Sequence, residues 1–195
     1  MRIVRQKTGF YKVDSAAKIC PVGEYLYQDH QSLNTVTITA GQLWITPIAI
    51  VDQLINVDAM TWEVTTLATG STIKGVIYDA ILQADGSVKP NQKLGETDAI
   101  SAASTGAKIG TFTTPLQLPA SNCYFAGVLA AGGNPILRGC TDSAVEYVSS
   151  ATPRAGSGGY ASYYQSPAGG NAPASWGSGR VASLFSPVIG IRRSA

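Results

Sequence analysis

Charge is scarce in this 195-residue chain: Lys, Arg, Asp and Glu together make up 13%, about half the ~25% usual for soluble domains. Ser, Thr, Gly and Ala stand where the charges would be. Helix surfaces are normally clothed in Glu, Lys and Arg, whereas strands use Thr, Ser and β-branched residues, so the composition points to sheet. A thinly charged exterior also suits a chain whose surface is covered by other chains. The formal net charge of +2 leaves no basis for a nucleic-acid partner, which calls for a basic stripe or a strongly alkaline balance.

Histidine occurs once, as His30. That excludes a multi-histidine metal centre and an H-E-x-x-H helix. A Ser-His-Asp triad would have to use His30, which follows Asp29 in an apparent turn, and no G-x-S-x-G elbow supplies a nucleophile. A G-x-x-x-x-G-K-[ST] phosphate loop is missing. Gly177-Ser-Gly179-Arg-Val-Ala182 spells a loose G-x-G-x-x-A, but it follows a Pro/Gly-rich stretch and opens a strand. Without a helix N-terminus it has no means of holding phosphate. Asp79, Asp85, Glu96 and Asp98 come nearest to a carboxylate cluster, of interest for a glycosidase pair or a loop calcium site; in β-proteins such residues are more often turn formers or edge charges. The expectation is no enzyme, no cofactor and no metal. Cys20, Cys123 and Cys140 are odd in number and form no C-x-x-C pair. Either a Cys123–Cys140 bridge or buried free thiols fits, the thiols being favoured if the chain folds in a reducing cytoplasm. No apolar stretch follows the basic start as in a signal peptide, and no run of about 20 apolar residues could span a membrane.

What the sequence does have is short strands and turns. Thr35-Val-Thr-Ile-Thr alternates, with Val36 and Ile38 on one face. Leu43 to Val51 is apolar on both faces, and its Pro47 places it near an edge or bulge. From Leu54 to Thr66 the apolar phase runs Ile55, Val57, Ala59 and then slips to Met60, Trp62, Val64, as one extra residue at a β-bulge would produce. Thr72–Asp79 is a further strand, Lys89-Pro-Asn a polar excursion, and Leu94–Ile100 a short strand. Lys108–Thr114 leads to Leu116–Pro119. Asn122–Ala131 is apolar on both faces and belongs in the middle of a sheet. Ile136–Gly139, Arg180–Ser186 and Val188–Arg192 close the series. Turn signals recur about every 8–12 residues, which predicts an all-β antiparallel sandwich or barrel.

Two segments stand apart. Residues 1–35 read as an N-terminal arm, in which Val13 to Cys20 could form a helical turn or two. Arg2, Arg5, Lys7, Lys12 and Lys18 face a lone Asp14 there; the arm is either simply solvated or anchored on an acidic partner surface through Arg2, Arg5, Lys7 and Lys12. The second segment, residues 151–179, is a long Gly/Ser-rich loop inserted in the 36–195 domain. Its Tyr160, Tyr163, Tyr164 and Trp176 are candidates for contact with a glycan or a protein.

The stretch from Gly41 to Cys140 resembles a domain recurrent in bacteriophage tail-fibre, head-fibre and capsid-decoration proteins. The likeness is carried, in order, by Gly41-Gln-Leu-Trp-Ile-Thr-Pro-Ile48, Trp62-Glu-Val-Thr-Thr-Leu-Ala-Thr-Gly-Ser71, Gly75-Val-Ile-Tyr78-Asp79, the turn Ser104-Thr-Gly106, Leu116-Gln-Leu-Pro119, and the run from Tyr124 to Leu137-Arg-Gly139. Tyr124-Phe125 replaces the usual Tyr-Trp. The match covers about half the chain and leaves the arm and the aromatic loop outside. The resemblance implies a jelly-roll-like sandwich, assembly as a homotrimer, and a place on the virion, on major capsid or tail proteins or against host surface glycans.

Overall fold

The computed structural model describes residues 2–5, 11–14, 22–27, 33–50, 54–82, 88–120, 122–140, 162–167, 170–177, 181–183 and 185–195. They are almost entirely strand. In chain order these are β1 (Arg2–Arg5), β2 (Tyr11–Asp14), β3 (Tyr25–Tyr27), β4 (Leu33–Thr37), β5 (Leu43–Ile50), β6 (Ile55–Thr66), β7 (Thr72–Leu82), β8 (Val88–Glu96), β9 (Ile100–Ser101), β10 (Gly106–Leu118), β11 (Asn122–Ala131), β12 (Ile136–Cys140), β13 (Ser162–Gln165), β14 (Val181–Ser183), β15 (Ser186–Pro187) and β16 (Gly190–Ser194). The first two pair only with each other. The rest form two seven-stranded antiparallel sheets. In one, β15, β12, β6, β16 and β3 lie side by side, β10 pairs with β6, and β4 with β12. In the other the order is β14-β13-β5-β11-β7-β8, with β9 beside β7. The chain changes sheet from β4 to β5, β5 to β6, β6 to β7, β9 to β10, β10 to β11, β11 to β12, β12 to β13 and β14 to β15, which makes an all-β sandwich.

The core lies between the sheets. Met60, Trp62, Val64, Leu137 and Ile189 from the β6 sheet meet Trp44, Ile73, Ile77, Tyr124 and Val128 from the β11 sheet, all nearly inaccessible to solvent. Close approach depends on Gly75, where a Cβ would stand 2.7 Å from Met60 Sδ and 3.2 Å from Trp62 Cζ3. Along one side the sandwich is closed by Thr97. Its N–H donates to Gly75 O at 2.9 Å, its hydroxyl accepts from Gly75 N–H at 2.9 Å, and the next N–H, of Asp98, reaches Thr111 O across the gap at 3.1 Å.

Several expectations are met residue for residue. Val36 and Ile38 are both buried. β11 lies between β5 and β7, as its two apolar faces require. Pro47 has β11 on one side, whereas on the other β13 registers with Leu43, Trp44 and Ile45, so the missing N–H falls past that ladder. The phase slip in β6 is a bulge at Asp58: Arg192 opposes Ala59 while Arg193 opposes Val57.

Others need correction. Val13 and Asp14 are strand rather than helix, paired with Ile3 and Arg2; residues 15–20 lie outside the described set. The sheet begins before residue 36, because β3 supplies a neighbour for β16 and β4 for β12. Lys89-Pro90-Asn91 is part of β8, an edge strand, where a proline costs no ladder bond on its open side. The 151–179 insertion contains β13, a regular strand seated on β5. Its pattern was masked by glycine and serine on both flanks.

Gly75→Val should lower unfolding stability by about 2–3 kcal/mol through overpacking. Gly177→Ala, whose Cβ would meet only Gln165 Oε1 at 3.7 Å, should be nearly neutral. Urea unfolding of the two variants checks both.

Candidate functional site

The two sheets treat their outer faces differently. The β5–β11–β7 sheet is apolar outside as well as inside: Leu43, Ile45, Val76, Tyr78, Phe125 and Leu129 form a second buried cluster. Residues 170–177 of the aromatic loop cover it. Ala172 is buried within the cluster and Trp176 packs against it, edge-on to Tyr78 with ring centroids 5.9 Å apart. The cover is held like an added strand on the free edge of β8: Lys93 N–H donates to Ala174 O and Trp176 N–H to Asn91 O, both at 2.8 Å. The Tyr78 hydroxyl donates to Pro173 O at 2.8 Å; burial raises its pKa far above the usual phenol range, so it stays a donor.

Lys93 ties this cover to a charged edge. Its ammonium donates to Ala172 O at 3.0 Å and to Glu96 at 2.8 Å, while Lys74 reaches the other oxygen of Glu96 at 3.0 Å. Burial alone would raise the Glu96 pKa, but the hydrogen bonds from Lys93 and Lys74 outweigh it and hold the carboxyl below its ordinary value. The fit of the cover is imperfect. Among the described residues Trp176 Nε1 and Gln165 Nε2 are buried without a hydrogen-bond partner, which costs about 1–3 kcal/mol for each group left unpaired.

The β6 sheet, by contrast, turns charged and aromatic side chains outward. Arg192 grips Asp58 with two bonds of 2.8 and 3.0 Å, and Arg138 grips Glu63 at 3.0 and 3.1 Å. The Arg138 hydrogen bonds hold Glu63 below the usual carboxylate range. Exposed pairs of this kind contribute little to stability, so their fixed geometry matters more for what the face can contact. Beside them lie Tyr25 and Tyr27, ring centroids 6.3 Å apart. None of these six side chains stands out in the sequence as a candidate contact residue. The signal was present in Tyr25-Leu26-Tyr27, an aromatic–apolar–aromatic alternation, and in Asp58 at the phase slip.

The residues singled out in the sequence are distributed as follows. Arg2, Arg5 and Lys12 lie on the paired strands β1 and β2, where Arg2 is in backbone register with Asp14 and Arg5 with Tyr11; Lys7 lies outside the described residues. Tyr160 and His30 are outside them as well. Tyr163 stands opposite Ile45 and Ala182. Tyr164 is stacked on Trp44, centroids 4.7 Å apart. Tyr164 and Trp176 thus each pack one side against the protein's own sheet and stay partly exposed. The carboxylates do not gather: Asp79 accepts from the Gln92 N–H and from Asn91, Glu96 is held by its lysines, and Asp85 is outside the described residues. Among the described residues no group of three His, Cys, Asp or Glu side chains could hold a metal ion, and no helix is long and apolar enough to cross a membrane. Cys123 and Cys140 are free thiols; burial pushes the Cys123 pKa up to about 11.

Three outcomes follow. A pKa near 11 leaves about one Cys123 in a thousand as thiolate at pH 8, so peptide mapping after iodoacetamide at that pH should find it unmodified. Trp176→Ala should cost about 1–3 kcal/mol and raise hydrogen exchange in β7 and β8 but not in β6. Because the folded pKa of Glu96 is lowered, its contribution is present above about pH 4.5 and lost as pH falls through the folded value. Acid should therefore loosen residues 170–177 in exchange experiments, and Glu96→Gln should remove that acid dependence.

Compared with known proteins, the chain matches no family model, and no curated protein matches it.

Proposed function

We propose that the chain is a non-enzymatic structural protein of a bacteriophage virion, a capsid-decoration (cement) or head-fibre domain that assembles as a homotrimer on major capsid or tail proteins. The observation that carries this reading is what the sandwich spends and what it leaves out. Its polar groups of catalytic type are engaged in holding strands and cover together, as with Glu96 and Asp79. Large apolar side chains meanwhile stand exposed around the body, among them Leu82 at 70%, Leu33 at 59% and Leu54 at 49%. Such exposure, with only 26 charged residues in 195, suits a surface destined for burial against partners. The ordered likeness from Gly41 to Cys140 supplies the kind of partner. A tail-fibre position would use the same contact chemistry.

In this reading the basic start anchors the protein. Charge reversal at Arg2, Arg5, Lys7 and Lys12 should abolish attachment to purified particles while leaving the β-type dichroism of the sandwich unchanged. Native mass spectrometry should give a trimer, and protein analysis of purified virions should contain the chain. A monomer that never accompanies particles would overturn the proposal.

A further inference from the structure

The outer face of the β6 sheet is ordered in rows. Ile109, Thr61, Gly190 and Tyr27 are successive cross-strand partners over β10, β6, β16 and β3. Thr111, Ala59, Arg192 and Tyr25 form the next row. Directly opposed residues share a face, so the first row extends across three strand spacings, about 14 Å. Its middle is built of small residues and its ends are apolar and open, Ile109 46% and Tyr27 53% exposed. The Tyr27 ring rests on the sheet at Gly190. A Cβ there would lie 2.7 Å from the ring Cε1 and 2.7 Å from Thr61 Cγ2, so any larger residue would push the ring off. The ring is fixed on one side and bare on the other.

Polar groups of both signs flank it. On the side of Tyr25, the Arg192 guanidinium lies 6.0 Å from that ring's centroid and is locked by Asp58. Along the face in the other direction lies Arg138 with Glu63. Each pair is neutral as a unit yet offers carboxylate acceptors beside guanidinium donors, held rigid by bidentate bonding.

We infer that this face binds a neutral oligosaccharide, with Tyr27 as the stacking platform and the Asp58–Arg192 and Glu63–Arg138 pairs receiving hydroxyl groups. An exposed aromatic face attracts the weakly positive C–H edges that a pyranose ring presents on its apolar side. Adjacent sugar hydroxyls each donate and accept, which matches a planar acceptor set beside a planar donor set. Because the charges are already paired, an anion or a cation gains no net attraction here, and an uncharged polyol is the complementary ligand. A proline-rich segment would need a succession of parallel aromatic ridges, whereas Tyr25 is tilted 39° from Tyr27 and ion pairs occupy the flanks. Both aromatic rings and both ion pairs are pre-set, which lowers the entropic cost of binding. The site lies on the opposite sheet from the aromatic loop, and the inference goes beyond the particle reading, which is tested by separate measurements.

The test is saturation-transfer NMR and titration of the full chain with cellohexaose, maltohexaose and mannohexaose, alongside a heparin oligosaccharide and a proline-rich decapeptide. At least one neutral hexamer should bind. Tyr27→Ala should weaken it at least about fivefold, Tyr27→Phe should retain it, and Arg138→Gln should weaken it independently. Tyr27 is largely exposed, so the alanine variant should keep the parent dichroism and melting behaviour. Trp176→Ala should leave binding in place. The inference is overturned if no neutral hexamer shows transfer, if only the anionic oligosaccharide or the peptide binds, or if binding survives Tyr27→Ala and is lost with Trp176→Ala.

Discussion

The structure depends on the need to cover the β5–β11–β7 sheet on both sides. Each of its central strands carries apolar residues on alternate faces in succession: Trp44 inward and Ile45 outward, Tyr124 inward and Phe125 outward, Ile77 inward and Tyr78 outward. A sheet covered only by its partner would leave the outer set in water, at roughly 25 cal/mol for every Å² exposed. The chain answers the two demands with different material. The inner face receives a second sheet, and the outer face receives a glycine- and serine-rich segment that contributes Ala172 and Trp176. That segment also caps the free edge of β8, which would otherwise offer unpaired backbone groups to other chains.

The second sheet is free of that constraint, and its chemistry follows from the freedom. With only its inner face claimed by the core, β6 can alternate Met60, Trp62 and Val64 inward with Thr61, Glu63 and Thr65 outward. The bulge at Asp58 shifts the phase so that Ile55 and Val57 join the same core, and it places a carboxylate where Arg192 can grip it. On that face ion pairs and aromatic rings stand outward, whereas the outer apolar cluster of the other sheet is covered by residues 170–177, and the division comes from which sheet is doubly covered.

Much of the sandwich was legible from residue order. Alternation placed Val36 and Ile38, two apolar faces placed β11 centrally and marked β5 as covered on both sides, and the slip near Ala59 disclosed the bulge. Misreadings came where local signals were weak or shared. Tyr11–Asp14 is strand through pairing with Arg2–Arg5, and such pairing leaves no periodic trace in four residues. β13 lay hidden in a composition typical of loops because its stability comes from β5, through Tyr164 stacked on Trp44. The packing of Tyr164 and Trp176 against the sheets was hidden for a related reason: solvent-facing and sheet-facing aromatics look the same in sequence when glycine surrounds them.

Composition and period, then, determined by themselves that this chain makes short antiparallel strands, as a sandwich or a barrel, because backbone geometry ties a two-residue repeat to a face and scarce charge to sheet rather than helix. Only the tertiary structure decided which aromatic rings are buried and which stand exposed. That choice depends on cross-strand neighbours far apart in the chain, as when Gly190 comes to lie under Tyr27 and Tyr78 under Trp176, and no local pattern encodes it.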